Sequence, residues 1–237
     1  MTHPTKHKAT ALVTGGNRGI GFEICRQLST AGYHVILTGR DPDRGEAAAK
    51  ILTEQGLDVR FIQLNVADPD SVKQAAQVLT EELLSLDILI NNAGVALDKF
   101  VPALEVDFAT LKQTIETNVY GVFLVTQAFI PLMQKNAKGG SIVMLSSMLG
   151  SLQNMGRSTL AYRLSKTAVN SMTKVFSAEL AEDNIVVNSV CPGWVRTELG
   201  GSDAPVSPEE GARCVVELAL QREHTGTFHR EGEIFPW

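Results

Sequence analysis

The sequence predicts an α/β fold in one domain spanning 1–237: a doubly wound parallel sheet of about seven strands with helices on both faces. Short apolar runs alternate with longer amphipathic stretches along the whole chain. Each run is almost continuously apolar, as in strands that are covered on both faces. No linker, repeat or low-complexity segment divides the chain, and regular strand–helix alternation favours parallel strands with right-handed crossovers.

The elements follow from this pattern in chain order. Six strands are predicted at 10–14, 34–38, 59–64, 87–91, 141–146 and 185–191. Helical periodicity predicts helices at 19–31, 43–55, 69–84, 107–134, 160–181 and 208–220. The final segment, 228–237, is expected to add an edge strand or to pack its aromatic residues on the core.

Composition points to a small-molecule partner. The 237 residues are 44% hydrophobic and 20% charged, with a net charge of -5 and no basic run, so neither nucleic acid nor an anionic membrane is expected as a partner. Cys25, Cys191 and Cys214 lack disulfide or zinc-site spacing, and no metal is expected. The polar start at 1–8 does not resemble a signal peptide, and the apolar stretch 119–133 is too short to span a bilayer. A cytoplasmic protein is therefore expected.

A glycine loop follows the first predicted strand and opens directly into a helix. Its sequence is Thr14-Gly15-Gly16-Asn17-Arg18-Gly19-Ile20-Gly21. In this context glycines let the backbone approach a pyrophosphate at the positive end of the helix. No Lys-Ser/Thr pair follows, which disfavours a nucleotide triphosphatase. The loop predicts dinucleotide binding in a Rossmann-type fold, with a glycine turn that binds nothing as the alternative.

The end of the second strand indicates which dinucleotide binds. Gly39 stands where a NAD enzyme would place an acidic side chain on the ribose 2′-hydroxyl. Arg40 beside it and Arg18 in the glycine loop are suited to pair with a 2′-phosphate. NADP(H) is favoured, although each arginine could instead be a solvated surface charge and Asp41 could partly neutralise Arg40.

Tyr162 and Lys166 are four residues apart on a predicted helix, so the phenol and the ammonium share one face. The cation could stabilise a phenolate, lowering a pKa that is about 10 in free tyrosine. The pair would then act as a proton donor. Alone, this spacing also arises on many helices without any catalytic reason.

The motifs taken together resemble the short-chain dehydrogenase/reductase family. They stand in the family's order over almost the whole chain: the glycine loop, Asn91-Asn92-Ala93-Gly94, Asn118, Ser147, Tyr162, Lys166 and Pro192-Gly193-Trp194-Val195-Arg196-Thr197. Within the family, the segments 162–167 and 207–212 look most like the NADPH-dependent carbonyl reductase group.

The resemblance implies a role for each of four catalytic residues. Tyr162 would be the general acid that protonates a carbonyl as the nicotinamide delivers hydride, and the base in the reverse direction. Lys166 would lower the pKa of Tyr162 and hold the nicotinamide ribose. Ser147 would donate a hydrogen bond to the same carbonyl oxygen, and is preferred to Ser146 because it begins the family's Ser-x-x-Gly. Asn118 would hold a water that links Lys166 to solvent.

The resemblance also implies a set of cofactor-binding residues. They are Gly15, Asn17, Arg18, Gly19, Ile20, Gly21, Arg40, Asn65, Val66, Asn92, Ala93, Gly94, Tyr162, Lys166, Pro192, Gly193, Val195 and Thr197. Val195 and Thr197 are the expected contacts of the nicotinamide carboxamide. Asn65 departs from the family, which usually has Asp beside the adenine. An amide can still form hydrogen bonds there, with altered pairing.

The substrate side is predicted to be apolar, in a pocket formed by the loops at about 95–100, 147–160 and 192–207. Its candidate residues are Val95, Leu97, Met148, Leu149, Gln153, Met155, Trp194 and Leu199. A hydrophobic ketone or aldehyde is expected, although some of these residues could belong to the core. The lid segment, defined as 197–207, is short and suggests an open, permissive pocket.

Some carbonyl reductases that this chain resembles are monomers, because a long insertion between the positions of Ser147 and Tyr162 covers the helix face used for pairing. That interval is short here, so the resemblance implies that the predicted helices 107–134 and 160–181 are free for pairing, and a homodimer or homotetramer is expected.

Two alternative functions fit these motifs less well. A non-catalytic NADP(H)-sensing protein would have no need of the residues at 118, 147, 162 and 166. An epimerase or dehydratase of the extended relatives would need a substrate domain for which this chain has no room.

Overall fold

A computed structural model describes residues 8–237, and the polar start at 1–7 lies outside the described residues. The centre of the molecule is one eight-stranded sheet with the order β3-β2-β1-β4-β5-β6-β7-β8. Its strands, β1 to β8, are Thr10–Val13, His34–Gly39, Val59–Gln63, Ile88–Asn91, Gly140–Leu145, Ile185–Cys191, Phe228–Arg230 and Glu233–Ile234. All neighbours pair in parallel except β8, which is antiparallel to β7.

Residues 8–237 form seven α-helices around the sheet. They are, from α1 to α7, Gly19–Thr30, Pro42–Glu54, Pro69–Glu82, Phe108–Ile115, Gly121–Gln134, Leu160–Glu179 and Pro208–Gln221. Strand side chains alternate between two apolar layers: Ala11 and Val13 of β1 pack with α1, α2 and α7, whereas Leu12 packs with α3, α5 and α6. This two-layer core explains why the strands are apolar throughout.

The predicted fold is confirmed, with two differences in detail. The sheet has eight strands instead of about seven, because the end of the chain forms both β7 and the two-residue β8. The same segment also packs its aromatic rings, with Trp237 stacked at 5.8 Å on Phe228. The predicted helix 107–134 is interrupted by a π-helical turn at Glu116–Tyr120, which separates α4 from α5. Such turns often occur at functional sites.

The topology gathers the candidate residues at one edge. Strand order reverses between β1 and β4, so the loops that leave their carboxyl ends diverge and form a crevice. The loops after β5 and β6 open on the same edge. Within residues 8–237 no helix is long and apolar enough to cross a membrane, and no group of three or more His, Cys, Asp and Glu side chains is placed to hold a metal ion.

Candidate active site

The glycine loop is fixed to the end of β4 by Asn92. The Nδ2 of Asn92 donates hydrogen bonds to the carbonyl oxygens of Thr14 at 2.8 Å and Gly15 at 3.0 Å. In return, Oγ1 of Thr14 accepts the backbone N–H groups of Asn92 at 2.9 Å and Ala93 at 3.0 Å. The two segments predicted to bind the dinucleotide therefore form one hydrogen-bonded unit.

Two positions in this loop require glycine. Gly15 has a φ of +62°, a left-handed conformation that side chains rarely adopt. A Cβ on Gly21 would lie 2.2 Å from the carbonyl oxygen of Gly15, which no real Cβ tolerates. The loop thus presents bare backbone at the first turn of α1, where free N–H groups favour a phosphate. This geometry fits the pyrophosphate of a dinucleotide.

Basic side chains lie beside the loop at the expected 2′-phosphate position. Arg18 and Arg44 line a surface cavity of about 350 Å³ together with Glu198, which forms an ion pair with Arg18. Arg40 is exposed at the end of β2. Asp41 caps α2 and pairs with Arg44 at 3.4 Å, so its carboxylate is directed to that residue. Arg44 was not predicted from the sequence, because its position in the first turn of α2 gives no sign that it lies beside Arg18.

Asn65 lies at the start of the turn between β3 and α3. Its Oδ1 accepts the backbone N–H of Ala67 at 3.3 Å, and its own N–H donates to Oγ of Ser71 at 3.0 Å. The side chain therefore shapes the turn beside the predicted adenine position. Val66 is buried against Gly121, the first residue of α5.

Asn118 is fully buried in the π-helical turn. Its Oδ1 accepts the backbone N–H of Val95 at 2.8 Å, while Nδ2 donates to the carbonyl of Val95 at 2.8 Å and to Oγ of Ser165 at 3.0 Å. The amide thereby connects the loop after β4 to α6. Both Oδ1 and Nδ2 of Asn118 are thus hydrogen-bonded to other residues, which was not predicted from the sequence.

Tyr162 and Lys166 lie on one face of α6, as their spacing predicts. The Nζ of Lys166 is 5.5 Å from the centroid of the Tyr162 ring and donates to the carbonyl oxygen of Leu145 at 2.7 Å. A Cβ placed on Gly94 would be 3.7 Å from the same Nζ. The ammonium therefore lies between the end of β5, the phenol and the loop after β4.

The two serines at the end of β5 point to different partners. The side chain of Ser147 lies close enough to the Tyr162 phenol to lower its pKa, and its Oγ accepts the N–H of Leu149 at 3.1 Å. Ser146 is buried and donates to Oδ1 of Asn170 at 2.6 Å, within the interior of the protein. Ser147 is thus the serine that adjoins the phenol.

Burial controls the protonation of the pair. Loss of solvation raises the pKa of Tyr162 well above its usual range, and the nearby side chain of Ser147 only partly opposes this shift. Burial likewise lowers the pKa of Lys166 from 10.5 to about 8. The expected lowering of the Tyr162 pKa is not found, because a dry site penalises the phenolate more than the surrounding groups stabilise it. The phenol is therefore protonated at neutral pH.

Two charged residues in the loop after β4 were missed from the sequence. Asp98 is fully buried and accepts the backbone N–H of Ala161 at 2.6 Å and that of Tyr162 at 3.3 Å. Lys99 donates from Nζ to the carbonyl oxygen of Gly200 at 2.8 Å. Neither contact has a local sequence signal, because each joins segments more than 60 residues apart.

The candidate pocket residues lie on the three loops that follow β4, β5 and β6. Leu97, Met155, Trp194 and Leu199 are 42–50% exposed, as apolar residues at the rim of an open cleft would be. Two other candidates contact the last residues of the chain. Met148 contacts Arg230 of β7 through its sulfur at 3.3 Å, and the N–H of Gln153 donates to the carbonyl of Trp237 at 3.3 Å.

The segment after β6 approaches the glycine loop. Val195 is buried and packs against Gly211 of α7, so only its backbone is available to a ligand in the crevice. A Cβ on Gly19 would lie 3.0 Å from Cγ2 of Thr197. These contacts place the start of the lid segment directly over the first turn of α1.

Comparison with known proteins agrees with this geometry. The family model described as short chain dehydrogenase matches residues 9–205. The chain belongs to the short chain dehydrogenase family. The resemblance found in the sequence is thereby confirmed.

Individual members of the short chain dehydrogenase family give closer likenesses. Carbonyl reductase [NADPH] 1 of Sus scrofa is 35% identical, over 96% of this chain and 93% of the pig protein. (+)-Neomenthol dehydrogenase of Arabidopsis thaliana is 32% identical, over 94% of this chain and 96% of the plant protein. The crystal structure of NADPH-bound carbonyl reductase from chicken fatty liver superimposes with a TM-score of 0.87 at 30% identity, covering 98% of this chain and 100% of that one.

Proposed function

We propose that this protein is an NADPH-dependent reductase that transfers hydride to the carbonyl of a hydrophobic ketone or aldehyde, and oxidises the alcohol in reverse. The names of the curated relatives and the NADPH-bound neighbour support this activity and this cofactor. The observation that carries the proposal is the convergence of Ser147, Tyr162 and Lys166 beside a backbone cradle that only glycines can form.

In this proposal Tyr162 is the general acid. The phenol carries a proton at neutral pH, and it can pass this proton to the carbonyl oxygen as that oxygen gains negative charge. Bound NADPH supplies the hydride. Ser147, whose side chain adjoins the phenol, would donate to the same oxygen and stabilise the charge that develops there.

In this proposal Lys166 and Asn118 return a proton to Tyr162 and keep the reacting groups in position. With a pKa of about 8, Lys166 can give up a proton near neutral pH and hold the nicotinamide ribose. Because the side chain of Asn118 is fully engaged, we assign its contact with a relay water to its main-chain carbonyl. The irregular hydrogen bonding of the π-helical turn favours such a free carbonyl.

Cofactor binding is assigned to the glycine loop and its neighbours. Arg18 and Arg40 would bind the 2′-phosphate, and Arg44 lines the same cavity as Arg18. Asn65 and Val66 would flank the adenine, and the 92–94 segment its ribose. The 192–197 segment would hold the carboxamide, Val195 through its backbone and Thr197 over the glycine loop.

The whole chain is proposed to be one catalytic domain, with the substrate pocket formed by the loops at 95–100, 147–160 and 192–207. Leu97, Met155, Trp194 and Leu199 line its rim with apolar surface, which suits a hydrophobic carbonyl compound. The acidic composition and unpaired cysteines suit a cytoplasmic enzyme that binds neither nucleic acid nor membranes.

A homodimer or homotetramer is proposed on the face formed by α4, α5 and α6. Large apolar side chains remain exposed there: Phe108 at 77%, Tyr120 at 57%, Phe123 at 41%, Leu164 at 45% and Val175 at 54%. A monomer rarely leaves so many of them uncovered on neighbouring helices.

The deciding experiment follows NADPH absorbance against a panel of aldehydes, ketones and diketones, with Tyr162→Phe as the test variant. Loss of the hydroxyl should reduce kcat at least a hundredfold, in line with the contribution of a general acid. Tyr33→Phe is the matched control, because Tyr33 lies at the opposite end of the sheet beside β2. Full activity of Tyr162→Phe would refute the mechanism. NADPH binding without turnover of any carbonyl would favour a sensing protein.

A further inference from the structure

The amino end of α6 has no cap of its own. Ser158 and Thr159, the residues that precede the helix, have φ angles of +64° and +56°, and neither caps it with its side chain. Oγ of Ser158 donates instead to the carbonyl of Arg157, and Oγ1 of Thr159 accepts the N–H of Phe100. The first N–H groups of a helix need acceptors, and here the local candidates are occupied elsewhere.

The missing acceptor comes from a different part of the chain. The carboxylate of Asp98 receives the N–H of Ala161 at 2.6 Å and that of Tyr162 at 3.3 Å. Asp98 is 0% exposed. The negative charge also lies at the positive end of the α6 dipole, where it is most favourable.

The same loop holds the helix start by its backbone. The N–H of Phe100 donates to Oγ1 of Thr159 at 3.1 Å, and the N–H of Thr159 donates to the carbonyl of Val101 at 2.9 Å. With the two bonds of Asp98, this makes four hydrogen bonds between 98–101 and 159–162. The loop at 98–101 and the start of α6 therefore form one hydrogen-bonded unit.

We propose that Asp98 is a positioning residue for the reaction, which fixes the phenol of Tyr162 relative to the substrate carbonyl. One of its two partners is the backbone N–H of Tyr162 itself, so a shift of the carboxylate directly shifts the residue that carries the proton. A displacement of about 1 Å at a reacting group can cost on the order of a hundredfold in rate. Asp98 acts through Tyr162, and the inference rests on the role proposed for that tyrosine.

The test compares Asp98→Ala, which removes both acceptors, with Asp98→Asn, which keeps one carbonyl oxygen at the same place. NADPH sites per chain are counted by fluorescence titration, and kcat is expressed per site. Asp98→Ala should lower kcat at least tenfold with the KM for NADPH within twofold of wild type. The kcat per site of Asp98→Asn should lie between that of the wild type and that of Asp98→Ala.

Asp107→Ala is the matched control. Asp107 is the residue directly before α4 and caps that helix locally, accepting the N–H of Thr110 at 2.8 Å; it is exposed and lies outside the candidate catalytic site. Its removal should destabilise the protein and leave kcat per site unchanged. A purely structural role for Asp98 would give the same result for both alanine variants, and that result would overturn the proposal.

The remaining outcomes are equally decisive. A kcat per site within twofold of wild type in Asp98→Ala would overturn the proposal. Where the alanine variant does not fold, Asp98→Asn decides: a kcat per site within twofold of wild type refutes it, and a larger fall supports it. Tyr162→Phe in the same assay distinguishes a failure of the proposed function from a failure of the inference about Asp98. Full activity there refutes the role of Tyr162, whereas an inactive Tyr162→Phe with a fully active Asp98→Ala refutes only the inference about Asp98.

Discussion

The ammonium of Lys99 donates a hydrogen bond of 2.8 Å to the carbonyl oxygen of Gly200, and so joins the loop after β4 to the lid segment. The indole N–H of Trp194 donates to the same oxygen, also at 2.8 Å. Two donors, one from the loop after β4 and one from the loop after β6, thus converge on one lid carbonyl. A short lid that looks permissive in sequence is held in place by these contacts.

Removal of the Lys99 contact should loosen the lid. In Lys99→Met, kcat/KM for bulky ketones should rise about two- to fivefold relative to a small aldehyde, because the lid can then move away from the pocket. This corresponds to less than about 1 kcal/mol, as expected for one partly exposed hydrogen bond. The KM for NADPH should not change. Lys73→Met, an exposed position on α3, serves as the control, and an unchanged substrate ratio in Lys99→Met would contradict the prediction.

The ion pair between Arg18 and Glu198 should compete with the cofactor phosphate. Both side chains are more than half exposed, so the pair itself is weak. Glu198→Gln should therefore lower the KM for NADPH modestly, by about two- to fivefold, because it frees Arg18 and removes a negative charge near the 2′-phosphate. The KM for NADH should stay unchanged, and a parallel change in both constants would argue against this competition.

Loss of either arginine should have the opposite effect. Arg18→Met and Arg40→Met should each raise the KM for NADPH about tenfold, roughly 1.4 kcal/mol, with little effect on NADH. Arg213→Met, an exposed arginine on α7, is the matched control. A strong NADH preference of the unmodified enzyme would refute the roles of Arg18 and Arg40 and leave the mechanism at Tyr162 untouched.

The buried ammonium of Lys166 should lower the free energy of unfolding, although the proposed reaction requires it. Its pKa is lowered from 10.5 to about 8, which corresponds to about 3 kcal/mol of destabilisation at neutral pH. Lys166→Met removes this cost and loses one hydrogen bond, to Leu145, worth about 1 kcal/mol. At pH 7 the free energy of unfolding should therefore rise by about 2 kcal/mol, while reductase activity is lost.

The stability difference between the wild type and Lys166→Met should depend on pH. Below about pH 8 the lysine is charged in both the native and the unfolded protein, and the full cost is present. Between about pH 8 and 10.5 the unfolded state binds more protons, so the wild type gains stability as the pH rises. The advantage of Lys166→Met in urea unfolding should thus shrink from pH 7 to pH 10. An advantage that is constant with pH would contradict the assigned pKa.

The apolar face of α4, α5 and α6 should mediate self-association. Leu164→Glu or Phe123→Glu places a charge in the proposed contact and should yield monomers, because burying an unpaired carboxylate is unfavourable. Light scattering at micromolar concentration measures the change. Leu84→Glu is the control, since Leu84 is 71% exposed beyond the end of α3. A wild-type protein that is monomeric under these conditions would refute the assembly.

Much of the fold was predictable because its signals are local. Each of the six predicted strands is a run of mostly apolar residues. The glycines of the loop after β1 indicate its backbone conformation directly. The spacing of Tyr162 and Lys166 fixes their common face on α6 for the same reason. The π-helical turn at Glu116–Tyr120 was not predictable, because the helical periodicity of 107–134 continues through it.

The sequence by itself therefore determined the fold class, the dinucleotide loop and the pairing of a phenol with an ammonium. Only the tertiary structure decided that Asp98 caps α6, that Lys99 reaches the lid segment, and that burial raises the pKa of Tyr162. Helical spacing and strand burial are properties of neighbouring residues, so a sequence displays them directly. A remote cap or a change in solvation depends on distances between segments far apart in the chain, and those distances exist only after the sheet has assembled.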